Sequence, residues 1–430
     1  MSSEFDRVID RRASDSIKWN FYAPDVLPMW VADMDFAVPQ AVQAALQQRV
    51  AHGLYGYARP SDALRQVICE RLQRLYQWTV LPEALLFMPG HVVGLNVACR
   101  AIGEAGDGVL LQPPVYYPFM SAVANQQREV QFAPLARSTS GSIISFAADV
   151  DALRAAITPR TKLFLLCNPH NPAGLMYERA VLEEMAQVCL EHKIVMVADE
   201  IHCDLVLERR AHVPLATLGP EVAARSITLM APSKTFNLAG MVCGFAIVPD
   251  EALRAQLEAA MLGLTGQVNA MGLVACEAAF LHGDEWLARL NCYLAGNRDY
   301  LVDFVTKRLP GVRTTIPAAT YLAWLDFTEY ALQPTPHDFL VEHAHVAAND
   351  GGPFGPDSAG FARINFACPR ATAIRRSASC VVRHSGCISA GSTGGAAQSW
   401  VTVSCDQICK PLASALLFAC DRSLACGHRH

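Results

Sequence analysis

The sequence predicts an α/β protein: a parallel or mixed sheet covered by helices, followed by a second, smaller domain. Three observations carry that reading. Between residues 150 and 250, apolar strand-like runs alternate with helical patterns, the order that builds strand–helix–strand units. Within "TKLFLLCNP" the run from Leu163 to Cys167 is continuously apolar and stops at Asn-Pro, as in a strand buried on both faces. Asn171, Asp199 and Lys234 each follow such a run. In open α/β sheets ligands bind beyond the carboxyl ends of the strands.

The elements follow in chain order. "EALLFMPGHVVGLNVACRAI" reads as a strand, a glycine turn and the start of a helix. "GVLLQPPVYYPF" reads as a strand ending in a proline-rich, aromatic loop. After "TKLFLLCNP", the stretch "RAVLEEMAQVCLEHK" places apolar residues at helical spacing and closes on basic ones. "IVMVADE", "SITLMAPSK" and "CGFAIVPD" are three further strands. "DEWLARLNCYLAGNRDYLVDFVTKRL" has the period and length of a helix linking two lobes, and "ATYLAWLDF" is a strand of the second domain. There are no internal repeats.

At 430 residues the chain is long enough for two domains and a large core. A hydrophobic fraction of 52% with 17% charged residues fits a globular enzyme. The net charge of −5, without a basic stripe, argues against nucleic acid. The polar N-terminus "MSSEFDRVIDRR" lacks the apolar core of a secretory signal, and no apolar run reaches the ~18 residues of a membrane span. A cytoplasmic protein is expected. Nine of the fifteen cysteines (Cys69, Cys99, Cys167, Cys189, Cys203, Cys243, Cys276, Cys292 and Cys368) are scattered singly, which reads as packing thiols, not as a disulfide framework or a metal site.

Pyridoxal phosphate (PLP) asks a protein for a lysine to form a Schiff base and a carboxylate to keep the pyridine nitrogen protonated. It also asks for backbone N–H groups at a helix N-terminus to cradle the phosphate, a donor to the phenolic O3′ and an aromatic face. Lys234 and Asp199 supply the first two. Gly90, His91 and Val92 form the glycine turn before a helix, Asn171 and His202 could reach O3′, and Tyr116 could stack. Taken singly, each has a plainer reading. A lysine after an apolar strand is ordinarily surface, a packed core histidine explains His202 almost as well, and His91 is valued for its backbone N–H. Tyr116 and Tyr117 are hard to separate.

The ordered motifs "NPHNPAG", "DEIHCDL" and "APSKTFNLAG" resemble the fold-type I PLP enzymes of the class I/II aminotransferase superfamily. "LPMWVADMDF", "HGLYGYARP", "ATYLAWLDF" and "FARINFACPR" make the cystathionine β-lyase (C–S lyase) branch the closer match. The likeness spans roughly residues 5 to 370, and the set in order is far more specific than any one motif. It implies a large PLP-binding domain at 46–285 with a mostly parallel seven-stranded sheet. A smaller α+β domain at 286–372 and an N-terminal segment at 1–45 joining it are implied as well. Lys234 then resembles the Schiff-base lysine, Asp199 the pyridinium partner, Asn171 and His202 the O3′ contacts and Tyr116 the stacking ring. Ser233 resembles a further phosphate ligand, and Arg363 the arginine that grips the substrate carboxylate. Tyr57 resembles the tyrosine reaching the phosphate from the neighbouring subunit, which implies a homodimer.

The resemblance leaves two reactions open. Both begin with Lys234 removing the α-proton; an aminotransferase then yields a keto acid, and a β-lyase expels a thiolate. Aminotransferases of the superfamily carry a phosphate-gripping arginine eight residues past the lysine and often a serine three before it. Here those positions are Val242 and Ala231. Together with "WVADMDF" and "DEIH", this favours a β-lyase acting on cystathionine or a related cysteine thioether, with an aminotransferase as runner-up. A non-catalytic regulator of the same fold would carry an N-terminal helix-turn-helix domain, which the first twenty residues do not encode.

After "NFACPRAT" the pattern breaks. Residues 373–430 hold six cysteines, Ser/Gly-rich stretches and only Asp406 and Asp421 as acids. Cys405, Cys409, His428 and His430 match no standard zinc spacing. A translated frameshift would explain this tail, and re-reading the coding DNA in the other frames tests it.

Overall fold

A computed structural model of the chain describes residues 3–370. The tail 373–430, with the zinc pattern of Cys405, Cys409, His428 and His430, lies outside the described residues. In chain order the strands are β1 (Leu27–Pro28), β2 (Leu85–Met88), β3 (Gly108–Leu111), β4 (Glu129–Phe132), β5 (Ala136–Ser140) and β6 (Ile143–Ala147). Then come β7 (Thr161–Cys167), β8 (Val195–Asp199), β9 (Ser226–Met230) and β10 (Gly244–Ile247). The last five are β11 (Arg313–Thr314), β12 (Leu322–Asp326), β13 (Val346–Ala347), β14 (Asn349–Asp350) and β15 (Phe361–Asn365).

Seven strands form the main sheet in the order β2-β10-β9-β8-β7-β3-β4. β3, β4, β7, β8 and β9 pair in parallel, while β10 runs antiparallel to both β9 and β2. The expected mostly parallel seven-stranded sheet is therefore present. Its central strands β3, β7, β8 and β9 are mostly apolar because both faces are covered, whereas the edge strand β4 carries Glu129 and Gln131 and is exposed or half-buried. Leu163, Leu165 and Cys167 of β7 enter one hydrophobic cluster, and Phe164 and Leu166 enter another on the opposite face.

The second sheet has the order β14-β15-β12-β11-β6-β5. The β5–β6 hairpin turns at Gly141, whose φ of 59° suits glycine. The hairpin belongs in sequence to the stretch 46–285, yet β6 pairs in parallel with β11 through Thr314 and Ile143. Near the N-terminus, β1 pairs in parallel with β13. The helix Asp284–Arg308 runs 25 residues, about 38 Å at 1.5 Å per residue. It buries Trp286, Leu290, Leu294, Leu301 and Val305, steps of four with one of seven that give one apolar stripe.

Strand order places the site. β7, β8 and β9 are adjacent and parallel, so their carboxyl ends open on the same edge. Asp199 ends β8, Asn171 lies four residues past β7, and Lys234 lies four past β9 in the single helical turn Pro232–Thr235.

Candidate active site

Lys234 is partly buried, and its Nζ donates to the backbone oxygen of Ala32 at 2.6 Å. Desolvation, and next the Arg363 charge, push its pKa down to about 8, against smaller opposing effects of Asp33 and Asp199. Asp199 is 2% exposed. Burial raises its carboxyl to about 7, although the Ile201 N–H donates to Oδ1 at 3.2 Å. A carboxyl held so high is one whose charge lacks a strong partner.

His91 corrects an expectation. Valued for its backbone alone, its side chain in fact enters the site: Nε2 lies 3.7 Å from Asp199 Oδ2. Its ring also lies near-parallel to Tyr116, with centroids 6.4 Å apart at 19°. Burial, and then Lys234, lower its pKa to about 3, so the imidazole is neutral and the contact with Asp199 is not an ion pair. His91 opens the helix His91–Ala101, whose N-cap, Gly90, has φ 98° and offers no side-chain cap. The first-turn N–H groups, Val92 among them, thus have no side-chain partner at the cap, which is the arrangement that binds anions. Val92 also turns its carbonyl to the Asn96 side chain at 3.0 Å. Ser233 sits beside Lys234 in the same turn.

His202 is 3% exposed and its Nδ1 has no partner. Burial holds its pKa well below the usual histidine range. The open Nδ1 is what a contact to a ligand needs, and the buried His170 and His212 carry one as well. Tyr116 is held by a bond from its N–H to the Asn171 carbonyl at 3.0 Å, and burial pushes its hydroxyl up to about 12. Tyr117 is more exposed, which separates the two tyrosines. Arg363 is buried on β15. Nη1 donates to Asn171 Oδ1 at 2.9 Å, Nη2 donates to the Trp30 carbonyl at 3.0 Å, and Nε has no partner. Its pKa is lowered by burial, with nearby tyrosines opposing the shift and no carboxylate contributing. Tyr57 is the exception: it is fully exposed and touches none of these groups in the single chain.

The groups present fit PLP. An amine, a buried carboxylate without a strong partner, an uncapped helix N-terminus, orphaned polar atoms on His202 and Arg363 and a flat ring lie close together: His91 reaches Asp199 and lies near-parallel to Tyr116, and Asn171 joins Tyr116 to Arg363. Cys203 and Cys243 are buried, and burial pushes the Cys203 thiol far up, as for packing residues.

The segment 30–36 lies within "LPMWVADMDF", and its residue types name no role in the site. Its backbone is the hub of the site. The carbonyl of Trp30 accepts from Arg363, Val31 and Asp33 from Asn365, Ala32 from Lys234 and Tyr321, and Met34 and Phe36 from Asn237. Asn365 and Asn237 lie inside quoted motifs, and buried amides there were the available signal. Carbonyl roles leave no mark in residue type.

Residues 24–379 match the family model "Aminotransferase class I and II". The chain is 39% identical over 377 residues to cystathionine beta-lyase PatB of Bacillus subtilis (strain 168), covering 86% of this chain and 96% of that protein. It is 30% identical to protein MalY of Escherichia coli (strain K12), covering 85% and 95%. Among solved structures, the PLP-bound C-S lyase from Staphylococcus hominis superposes with a TM-score of 0.80 at 30% identity, covering 89% of this chain and 97% of that one. By the extent of these matches, the chain belongs to the family of class I and II aminotransferases.

Proposed function

We propose that the chain is a PLP-dependent lyase that breaks the carbon–sulfur bond of cystathionine or a related cysteine thioether, yielding a thiol, pyruvate and ammonia. The grouping of Lys234, Asp199 and Arg363, close enough that the charges of Arg363 and Asp199 both act on the lysine amine, carries the proposal, and the kinship with a cystathionine beta-lyase points it to C–S cleavage. When bound, PLP supplies the electron sink for the α-carbanion.

The chain's own groups do the rest. A Lys234 amine of pKa about 8 is partly neutral near physiological pH, so it can take the α-proton and return it. Asp199 gains a cation partner in a protonated ring nitrogen, which restores the charge that burial penalises. Arg363 takes the α-carboxylate in a directional fork and orients the Cα–H bond. Asn171 and His202 serve O3′, Tyr116 stacks, and Gly90, His91, Val92 and Ser233 serve the phosphate. Tyr57, fully exposed in one chain, is assigned to the partner's site in a homodimer. Among the described residues no helix is long and apolar enough to cross a membrane, and we place the protein in the cytoplasm.

An aminotransferase is the less supported reading. Val242, at the position of the expected arginine, is 44% exposed in a left-handed turn with φ 49°, and Ala231 is buried. Neither can hold a phosphate through its side chain. Purified holoenzyme incubated with cystathionine should release pyruvate without a keto-acid acceptor. An imine absorbance band with no turnover would favour a regulator, and acceptor-dependent keto-acid formation would favour the aminotransferase.

A further inference from the structure

Phe354 is fully buried at the end of the turn Gly352–Phe354, inside the glycine-rich loop that precedes β15. The central guanidinium carbon of Arg363 lies 5.1 Å from the centroid of its ring. The ring is fixed from other sides too. Trp324 packs at 5.1 Å, and Tyr117 meets it edge-on at 5.7 Å and 87°. The Phe354 carbonyl accepts the Val115 N–H at 2.8 Å, one residue before Tyr116.

Arg363 is a buried cation with an unusual set of neighbours. Its two hydrogen bonds go to neutral oxygens, its Nε has no partner, and among the described residues no carboxylate shifts its pKa. A protein carboxylate would stabilise the charge but occupy its donors. An aromatic face attracts a desolvated cation through its quadrupole and leaves every N–H free.

We propose that Phe354 is a positioning residue for amino-acid recognition: its ring fixes the guanidinium of Arg363 so that the unused donors stay open to the substrate's α-carboxylate. The proposal rests on reading Arg363 as the carboxylate site of a PLP enzyme. Its consequence is selective. Loss of the ring weakens ligands that carry a carboxylate and spares amines that lack one.

The test titrates holoenzyme with L-alanine and with ethylamine, following the cofactor's absorbance. Neither ligand carries a thiol leaving group, so binding is read whether or not the chain is a lyase. Phe354→Leu should weaken L-alanine by roughly tenfold or more, the worth of one charge-assisted hydrogen bond lost when the guanidinium leaves its pose. Ethylamine should stay within about twofold, and Phe354→Tyr, which restores a ring, should recover most of the L-alanine affinity. If the leucine variant does not fold, Phe354→Met fills similar volume without a π face.

Equal losses for both ligands, or a tyrosine variant no better than leucine, would overturn the proposal. Wild-type protein that binds no L-alanine would overturn it together with the reading of the site. The predicted pattern in a protein that does not cleave thioethers would overturn the lyase assignment alone.

Discussion

Lys234 and Tyr321 share one acceptor: the backbone oxygen of Ala32 takes the lysine amine at 2.6 Å and the tyrosine hydroxyl at 2.8 Å. Tyr321 is fully buried and its ring meets His202 edge-on at 5.9 Å. The tyrosine therefore links the lysine's resting place to a proposed cofactor contact. On either side of Ala32, Asn365 holds the carbonyls of Val31 and Asp33, both at 2.6 Å.

Replacing Tyr321 by Phe removes one donor from Ala32 and leaves the packing ring. The expected loss is about 1 kcal/mol of stability, the net worth of one buried hydrogen bond, read from urea midpoints. The KM for the thioether should stay within about twofold, because the Arg363 grip does not involve Tyr321. A tenfold rise in KM would show that the segment 30–36, not Arg363, dominates substrate binding.

Lys234 should betray its environment in cofactor-free protein. Burial lowers its pKa to about 8, against ~10.4 for a free lysine. Competitive acylation followed by peptide mass spectrometry should give a midpoint near pH 8 for this amine and near the ordinary value for exposed lysines. The linkage has a definite sign. The unfolded chain binds more protons than the folded one between the two pKa values, so this group makes stability rise as pH climbs through that window. An ordinary midpoint for Lys234 would remove the basis for its role as a base near neutrality.

Much of the sheet was legible because burial on both faces writes an unmistakable apolar run, as in "TKLFLLC", and because Asn171, Asp199 and Lys234 interrupt such runs at their ends. The direction of β10 was not legible, since an apolar strand reads the same either way along a sheet. Nor was the β5–β6 hairpin, whose partner β11 lies far away in sequence. In the site, side chains with distinctive chemistry were readable and the carbonyls of residues 30–36 were not. His91 shows the intermediate case: its place at the helix start followed from Gly90, but its reach to Asp199 depends on how that helix sits on β8.

Arg363→Lys keeps the charge and loses the planar fork. The lysine cannot hold Asn171 Oδ1, the Trp30 carbonyl and a carboxylate in fixed geometry. The KM for the amino-acid substrate should rise by about 30- to 100-fold, as expected for losing a charge-assisted pair of hydrogen bonds. Turnover at saturation should fall less, provided the Cα–H bond still reaches Lys234. A substrate analogue without the carboxylate should show no such change in steady-state assays.

Asp199 sets stability against function in a testable way. Its carboxyl is raised to about 7 by burial, above the ~3.9 of an unfolded aspartate. Between those values the folded protein binds the extra proton, so this group makes cofactor-free protein lose stability as pH rises from about 4 to about 7. Asp199→Asn removes the buried charge while keeping the shape. Without cofactor, the Asp199→Asn variant should therefore be the more stable form above about pH 7, by at most on the order of 4 kcal/mol, and the two should converge near pH 4. Thermal melts across that range give the comparison. The same substitution should weaken the holoenzyme's turnover severely, because the amide cannot hold a proton on the pyridine nitrogen. A variant less stable than wild type at pH 8 would mean that the carboxylate is already compensated within the chain, and its assignment as the ring-nitrogen partner would fall.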